Sequence, residues 1–238
     1  MIYITGDIHR DFRRIYEFAR TMPTTKDDIL IILGDVGINL ALDHRDTELK
    51  EELERDLPLT LFCLKGNHEA RPENIKGYKE VEWMGGKAYV EDKYHSLIFA
   101  KDGEVYDILG KKTIVIGGAY SVDKYIRQRL GYVWFEDEQP TEEIKAKVEK
   151  TLDKLDWKID YVLTHDVPRS TIPIWNFSGP SPYENIDYTT EDWLEKIYQK
   201  LDFEKWYAGH MHVDSYEGND KKVRLMYEEF DKFGGWKE

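Results

Sequence analysis

The chain opens Met1-Ile2-Tyr3-Ile4-Thr5-Gly6-Asp7-Ile8-His9, an apolar, β-branched run that stops at a glycine and then presents a carboxylate and an imidazole. β-Branched residues suit a pleated strand. On an extended or tightly turning backbone residues i and i+2 point the same way, so Asp7 and His9 can reach one ion. Alone, such a turn has little specificity; its weight depends on recurrence. Residues 28–35 form a continuous apolar run ending in Gly34-Asp35, and residues 59–65 another that leads into Gly66-Asn67-His68-Glu69. Residues 159–164 end in His165, and Trp206-Tyr207-Ala208 leads into Gly209-His210-Met211-His212. Short apolar runs of this kind read as strands buried on both faces.

Helical spacing falls between the first runs. Phe12, Ile15, Tyr16, Phe18 and Ala19 recur with helical period up to Met22-Pro23, and residues 46–55 alternate Glu, Leu, Lys and Arg as a helix with a solvated face. Three strand–turn–helix units in a row predict a βαβαβ half with a parallel sheet. Residues 87–90, 95–100, 104–109 and 112–116 are short strand candidates that read as a meander, a second sheet. Residues 120–135 are expected to be irregular; Tyr125, Arg127, Arg129, Tyr132 and Trp134 there form either a wall over a substrate or an aromatic core or interface. Thr141 caps a helix running to about residue 155, with Glu142 and Glu143 in its first turn. Residues 167–188, with Trp175 and Phe177, make a proline-containing loop long enough to be a lid, a dimer contact or plain surface. A helix over 190–201 and a terminal strand or hairpin (213–216, 223–227) complete the pattern. No repeat or linker interrupts it, so residues 1–238 are expected to form a single domain.

Composition bounds the function. Hydrophobic content of 41% fits a packed globule, and 34% charged residues argue against a membrane protein. No segment approaches the roughly 20 apolar residues that span a bilayer. No signal peptide is visible, and the single cysteine, Cys63, excludes an internal disulfide and suits a reducing compartment, so a cytoplasmic location is expected. The formal net charge of −13 disfavours a nucleic-acid polymer or an anionic membrane as partner. Clustered carboxylates that hold divalent ions would nonetheless make a site locally electropositive.

Five of the seven histidines, His9, His68, His165, His210 and His212, lie at strand ends; His44 and His95 lie outside and read as structural or surface residues. Open α/β folds gather their sites at the carboxyl ends of strands. Nitrogen and oxygen donors without a thiolate suit Mn, Fe or Zn. The donors exceed the needs of one ion, whereas two ions sharing a bridging carboxylate would use them all.

The ordered set Gly6-Asp7-Ile8-His9, Gly34-Asp35, Gly66-Asn67-His68-Glu69, His165 and Gly209-His210-Met211-His212 resembles the calcineurin-like metallophosphoesterase superfamily. The motifs span nearly the whole chain. The resemblance implies a four-layer α/β/β/α sandwich of two mixed β-sheets with the metal site at the strand C-terminal ends. It implies that Asp7, His9 and His212 hold one metal and Asn67, His165 and His210 the other, with Asp35 bridging and catalytic. His68 matches the family's catalytic non-ligand histidine, which meets the phosphate or the leaving group. The expected activity is hydrolysis of a phosphomonoester or phosphodiester, a nucleotide-like one favoured, by a hydroxide bridging two divalent ions (Mn, Fe or Zn).

The pattern departs from the family in two places. Protein Ser/Thr phosphatases continue the bridging aspartate into Gly-Asp-x-x-Asp-Arg-Gly, whose arginine grips phosphate; here the run is Gly34-Asp35-Val36-Gly37-Ile38-Asn39. Arg10, Arg71 and Arg127 are the substitutes considered for substrate binding. His165 is followed by Asp166 where many relatives have glycine, and Asp166 is read as a loop residue rather than a group orienting His165. The runner-up function is a Ser/Thr-type protein phosphatase. A DNA nuclease and a non-catalytic scaffold on the same fold rank behind it, the scaffold because such members lose ligands that this chain keeps.

Overall fold

The computed structural model describes residues 1–173 and 186–235. The first half alternates as expected: β1 (Ile2–Thr5), α1 (Arg13–Thr21), β2 (Ile29–Ile32), α2 (His44–Asp56) and β3 (Thr60–Cys63). Three strands follow, β4 (Tyr78–Trp83), β5 (Gly86–Glu91) and β6 (Leu97–Ala100), then β7 (Val105–Ile108) and β8 (Lys111–Ile116). The second half holds α3 (Lys124–Leu130), α4 (Glu142–Lys154), β9 (Tyr161–Thr164), α5 (Thr189–Lys200), β10 (Lys205–Ala208), β11 (Ser215–Glu217), β12 (Val223–Leu225) and β13 (Asp231–Lys232).

Two sheets result, of order β13-β1-β2-β3-β6-β5-β4 and β11-β12-β10-β9-β8-β7. The parallel register runs Tyr3–Leu30–Leu61–Leu97 across the first sheet and Thr113–Tyr161–Lys205 across the second. The expected second-sheet meander is therefore divided. β5 and β6 join the first sheet, and β7 and β8 the second, because β6 finds a parallel partner in β3.

Strand alternation makes the layers. Leu30, Ile32, Leu61 and Cys63 pack outward against Ile15 and Ala19 of α1 and Leu53 of α2. The intervening Ile31, Leu33, Phe62 and Leu64 point inward and meet Val115, Leu163 and Tyr207 of the other sheet. On that sheet's far side Ile114, Ile116, Val162 and Trp206 pack on Val148 and Leu152 of α4 and Trp193, Leu194 and Ile197 of α5. Three apolar layers between four structural ones give the α/β/β/α sandwich. Each fully buried Leu or Ile contributes about 2 kcal/mol by removal from water.

Local signals set the helix ends. Asp43 accepts a hydrogen bond from Arg45 N at the start of α2, and Thr141 from Ile144 N at the start of α4. Residues 120–135 are not wholly irregular. They carry α3, which has no buried residue and ends on Gly131 in the left-handed region. In the loop expected over 167–188, Trp175 and Phe177 lie outside the described residues. No helix among the described residues is long and apolar enough to cross a membrane.

Candidate metal centre

The turns after β1, β2, β3, β9 and β10 converge at one edge of the two-sheet stack. His9, Asp35, His210 and His212 all hold positive φ, from 46° to 61°. Non-glycine residues pay about 1–3 kcal/mol for such conformations, which persist where the surroundings fix them. The preceding glycines permit the crowding. A Cβ on Gly66 would come within 1.9 Å of Asp35 Oδ1, and one on Gly209 within 2.5 Å of Asp7 Oδ1.

Backbone groups aim the two carboxylates. Asp7 Oδ1 accepts a hydrogen bond from His210 N at 2.9 Å, and Asp35 Oδ1 one from His68 N at 2.8 Å. Their other oxygens, Asp7 Oδ2 and Asp35 Oδ2, are buried without a hydrogen-bond partner among the described residues. Both face imidazoles: Asp7 Oδ2 lies 3.2 Å from His212 Nε2 and 3.6 Å from His9 Nε2, and Asp35 Oδ2 lies 3.7 Å from both His9 Nδ1 and His165 Nε2. Donor atoms of Asp7, His9 and His212 lie within 4.8 Å of one another, as do those of Asp7, Asp35 and His165.

Lone pairs crowd this centre. His165 Nδ1 lies 2.7 Å from the Leu33 carbonyl, which fixes the ring proton on Nδ1. Its Nε2 lies 2.8 Å from Asn67 Oδ1. The Asn67 amide is oriented by its Nδ2 donating to Ser121 Oγ at 2.8 Å. His9 Nε2 likewise meets His212 Nε2 at 2.8 Å. Each of these close pairs needs a proton or a cation between its two atoms, and the two buried carboxylate oxygens face imidazole nitrogens rather than backbone donors. The donor set fits divalent cations.

Electrostatics point the same way. Burial opposes ionisation of Asp7, yet His165, His212 and His9 outweigh it and hold the carboxyl well below its usual range. Asp35 is held low in the same manner against its burial, by His165 and His68. Burial and the neighbouring His165 push His210 down to about 3, so that it stays a neutral donor. The Asp7 carboxylate 3.2 Å away raises His212. His210 packs beside His165 with ring centroids 5.0 Å apart, next to the tighter donor groups rather than within them.

His68 stands at the mouth, its Nε2 3.9 Å from Asp35 Oδ2, 3.1 Å from Asn67 Nδ2 and 3.5 Å from Arg127 Nη2. Burial, then the positive charge of Arg127, lowers its pKa against the pull of Asp35. The three arginines part company. Arg127 reaches the site, anchored by Asp123 at 2.7 Å. Arg10 turns to Asp46 at 2.6 Å and to the carbonyls of Gly37 and Arg45. Arg71 is buried on Asp102 at 2.6 Å, with the carbonyls of Asp137 and Gln139 as further partners. His44 and His95 are exposed and belong to neither donor group.

Asp166 lies in the bend after β9, as expected of a loop residue, and accepts a hydrogen bond from Val167 N rather than from His165. It is buried, and burial together with Glu191 pushes its carboxyl well above the usual range. Two residues escaped the sequence reading. Glu69 is fully buried and accepts hydrogen bonds from Gly66 N at 3.1 Å and Gly37 N at 3.2 Å, tying together the turns that carry Asp35 and Asn67. Tyr227 stacks on His212 with centroids 4.7 Å apart. The position of Glu69 in Gly66-Asn67-His68-Glu69 was a signal; nothing in sequence tied Tyr227 to the site.

Convergent carboxylates and imidazoles at the strand ends of a two-sheet sandwich define a metal-dependent hydrolase. The sequence model of the calcineurin-like phosphoesterase family matches residues 1–214. The chain belongs to that family and is a metal-dependent phosphoesterase. No curated protein matches it in sequence. Among solved structures, one crystal structure aligns over 94% of this chain and 88% of its own at 14% identity and TM-score 0.47. The crystal structure of phosphopantetheinyl hydrolase from Mycobacterium tuberculosis aligns over 95% of this chain and 87% of its own at 18% identity and TM-score 0.45.

Proposed function

We propose that the chain, acting as one cytoplasmic domain over residues 1–238, hydrolyses a small phosphomonoester or phosphodiester at a two-ion centre, a nucleotide-like ester being favoured. The observation that carries this reading is the pair of buried, unpartnered oxygens, Asp7 Oδ2 and Asp35 Oδ2, facing imidazoles. Asp7, His9 and His212 would hold one ion and Asn67, His165 and His210 the other, with Asp35 shared; Mn, Fe and Zn suit such donors. When bound, the ions supply charge neutralisation for phosphoryl oxygens and a water of lowered pKa.

The chain's own groups do the rest. Ser121 fixes the Asn67 amide so that its oxygen faces inward. Asp35 and His68 are coupled through the His68 N–H bond, which seats the imidazole beside the reaction centre. In the free chain His68 Nε2 faces two N–H donors and is neutral. An incoming phosphoryl dianion offsets Arg127, raises the imidazole's proton affinity, and lets Nε2 carry the proton that the departing alkoxide takes. Arg127 holds a phosphoryl oxygen. The missing arginine after Asp35 disfavours the protein-phosphatase alternative.

Wild-type protein loaded with Mn is assayed on p-nitrophenyl phosphate and bis-p-nitrophenyl phosphate, with a phosphopeptide alongside. Turnover of either nitrophenyl ester, abolished by chelator and restored by metal, supports the reading. Preference for the phosphopeptide would replace it with the protein-phosphatase reading, and no turnover with a full metal complement would remove it.

A further inference from the structure

Six of the large apolar side chains left exposed in the described chain fall within a dozen residues: Val122, Tyr125, Ile126, Leu130, Tyr132 and Val133. They surround α3. This helix buries none of its own residues, so it gains little by folding onto the core. Exposed apolar side chains gathered along one short stretch of chain suit a binding surface. What it binds follows from Arg127, on the same helix. Its Nη2 lies 3.5 Å from His68 Nε2 in the catalytic mouth, while its Nη1 lies 3.4 Å from the Val133 carbonyl. Leu130 stands one helical turn from Arg127 on the same face. One guanidinium therefore links the reaction centre to the backbone at Val133, with Leu130 one helical turn further along α3.

We propose that α3 and the segment after it seat the leaving group of the ester, and that this group carries an apolar or aromatic face. The inference rests on the phosphoesterase reading. The phosphoryl group sits beside Arg127 and His68, and the ester oxygen directs its substituent along α3, where Leu130 and Val133 cover it and Tyr132 offers a ring for stacking. Continuity with the catalytic mouth favours a substrate as the occupant over a second copy of the chain. The cleavage balances simply. Water adds to phosphorus, the P–O bond to the leaving group breaks, and that oxygen departs with its electron pair and one proton as an alcohol or phenol.

The test compares 1-naphthyl phosphate with glycerol phosphate in the wild-type chain and in the Leu130→Ser/Val133→Ser variant. Both positions are exposed, so folding is retained, and circular dichroism confirms it. In the wild type the ratio of kcat/KM values favours the naphthyl ester. The variant lowers that ratio by about tenfold, chiefly through KM, as expected for loss of apolar contact in a substrate site. Leu130→Met/Val133→Ile restores it. An unchanged ratio overturns the proposal while leaving the phosphoesterase reading intact. Turnover of neither ester defeats that reading instead, and calorimetric binding of 1-naphthyl phosphate to the two proteins then decides the inference by itself. A wild-type dimer that becomes monomeric in the variant, with the ratio unmoved, would assign the surface to a second copy.

Discussion

His9 and His212, 203 positions apart in the chain, bring their Nε2 atoms within 2.8 Å of each other. The contact joins the turn after β1 to the turn after β10, and so one sheet to the other. Asp7 Oδ2 lies beside both rings. Imidazoles this close share a proton or face one cation together.

His212→Ala and His9→Ala should each lower the bound metal from about two ions per chain to about one, since both remove donors from the same group. Elemental analysis after dialysis against a limiting metal buffer reads this directly. Asp7→Asn should deplete the ion held with His9 and His212 more than the ion held by Asn67, His165 and His210. Equal loss at both would mean that Asp7, which belongs to both tight donor groups, serves both ions.

His68 touches Asp35 through its backbone and meets Arg127 through its ring. His68→Ala should keep the metal complement and lower kcat by about 100- to 10,000-fold on esters with poor leaving groups. The loss should shrink with nitrophenolate, which departs without a proton. Equal losses across leaving groups of different pKa would contradict a proton-transfer role.

Glu69 bridges the turns of Asp35 and Asn67 with its two oxygens on Gly37 N and Gly66 N. Burial, then Asp35, raises its carboxyl to about 8. Glu69→Gln sets an amide N–H against one of these backbone donors, which costs about 1–3 kcal/mol for the unsatisfied buried group. Urea denaturation should show that loss together with weaker metal affinity. Unaltered affinity would separate the packing of these turns from ligand placement.

Glu191 is buried, and burial raises its carboxyl from 4.5 to about 7. The folded chain therefore holds this proton more tightly than the unfolded one. Its stabilising contribution is complete below pH ~4.5 and is lost as pH rises through ~7, by about 3 kcal/mol at most. Thermal midpoints at pH 5, 6, 7 and 8 should decline, less steeply in Glu191→Gln. Asp166 is shifted in the same sense, so part of the slope persists. Parallel slopes in the two proteins would clear Glu191 of the effect.

The ligand-bearing strands were legible because residues buried on both faces must be apolar throughout, as in Ile29–Ile32 and Tyr161–Thr164. β4 escaped because its side chains face solvent and alternate Lys, Glu and Val without an apolar period. α3 escaped for a related reason: a helix with no buried face shows no helical hydrophobic period. Which sheet β5 and β6 join depends on the long-range pairing of Leu61 with Leu97, to which strand propensity is blind. Arg10 and Arg71 stand beside ligands in sequence, but their ion-pair partners, Asp46 and Asp102, lie 36 and 31 residues further on. Proximity along the chain does not fix where a long side chain finds its counter-charge.

The family match stops at residue 214, but the folded structure does not. β12 pairs with β10, and β13 covers the edge of β1. Met226, fully buried between the sheets, closes on Gly6 through its carbonyl, and Tyr227 backs His212. The matched region is thus shorter than the unit that folds. Proteolytic trimming at the family boundary would spare every metal ligand, yet expose two strand edges to intermolecular pairing. The tail is a clasp behind the turns that carry Asp7 and His212.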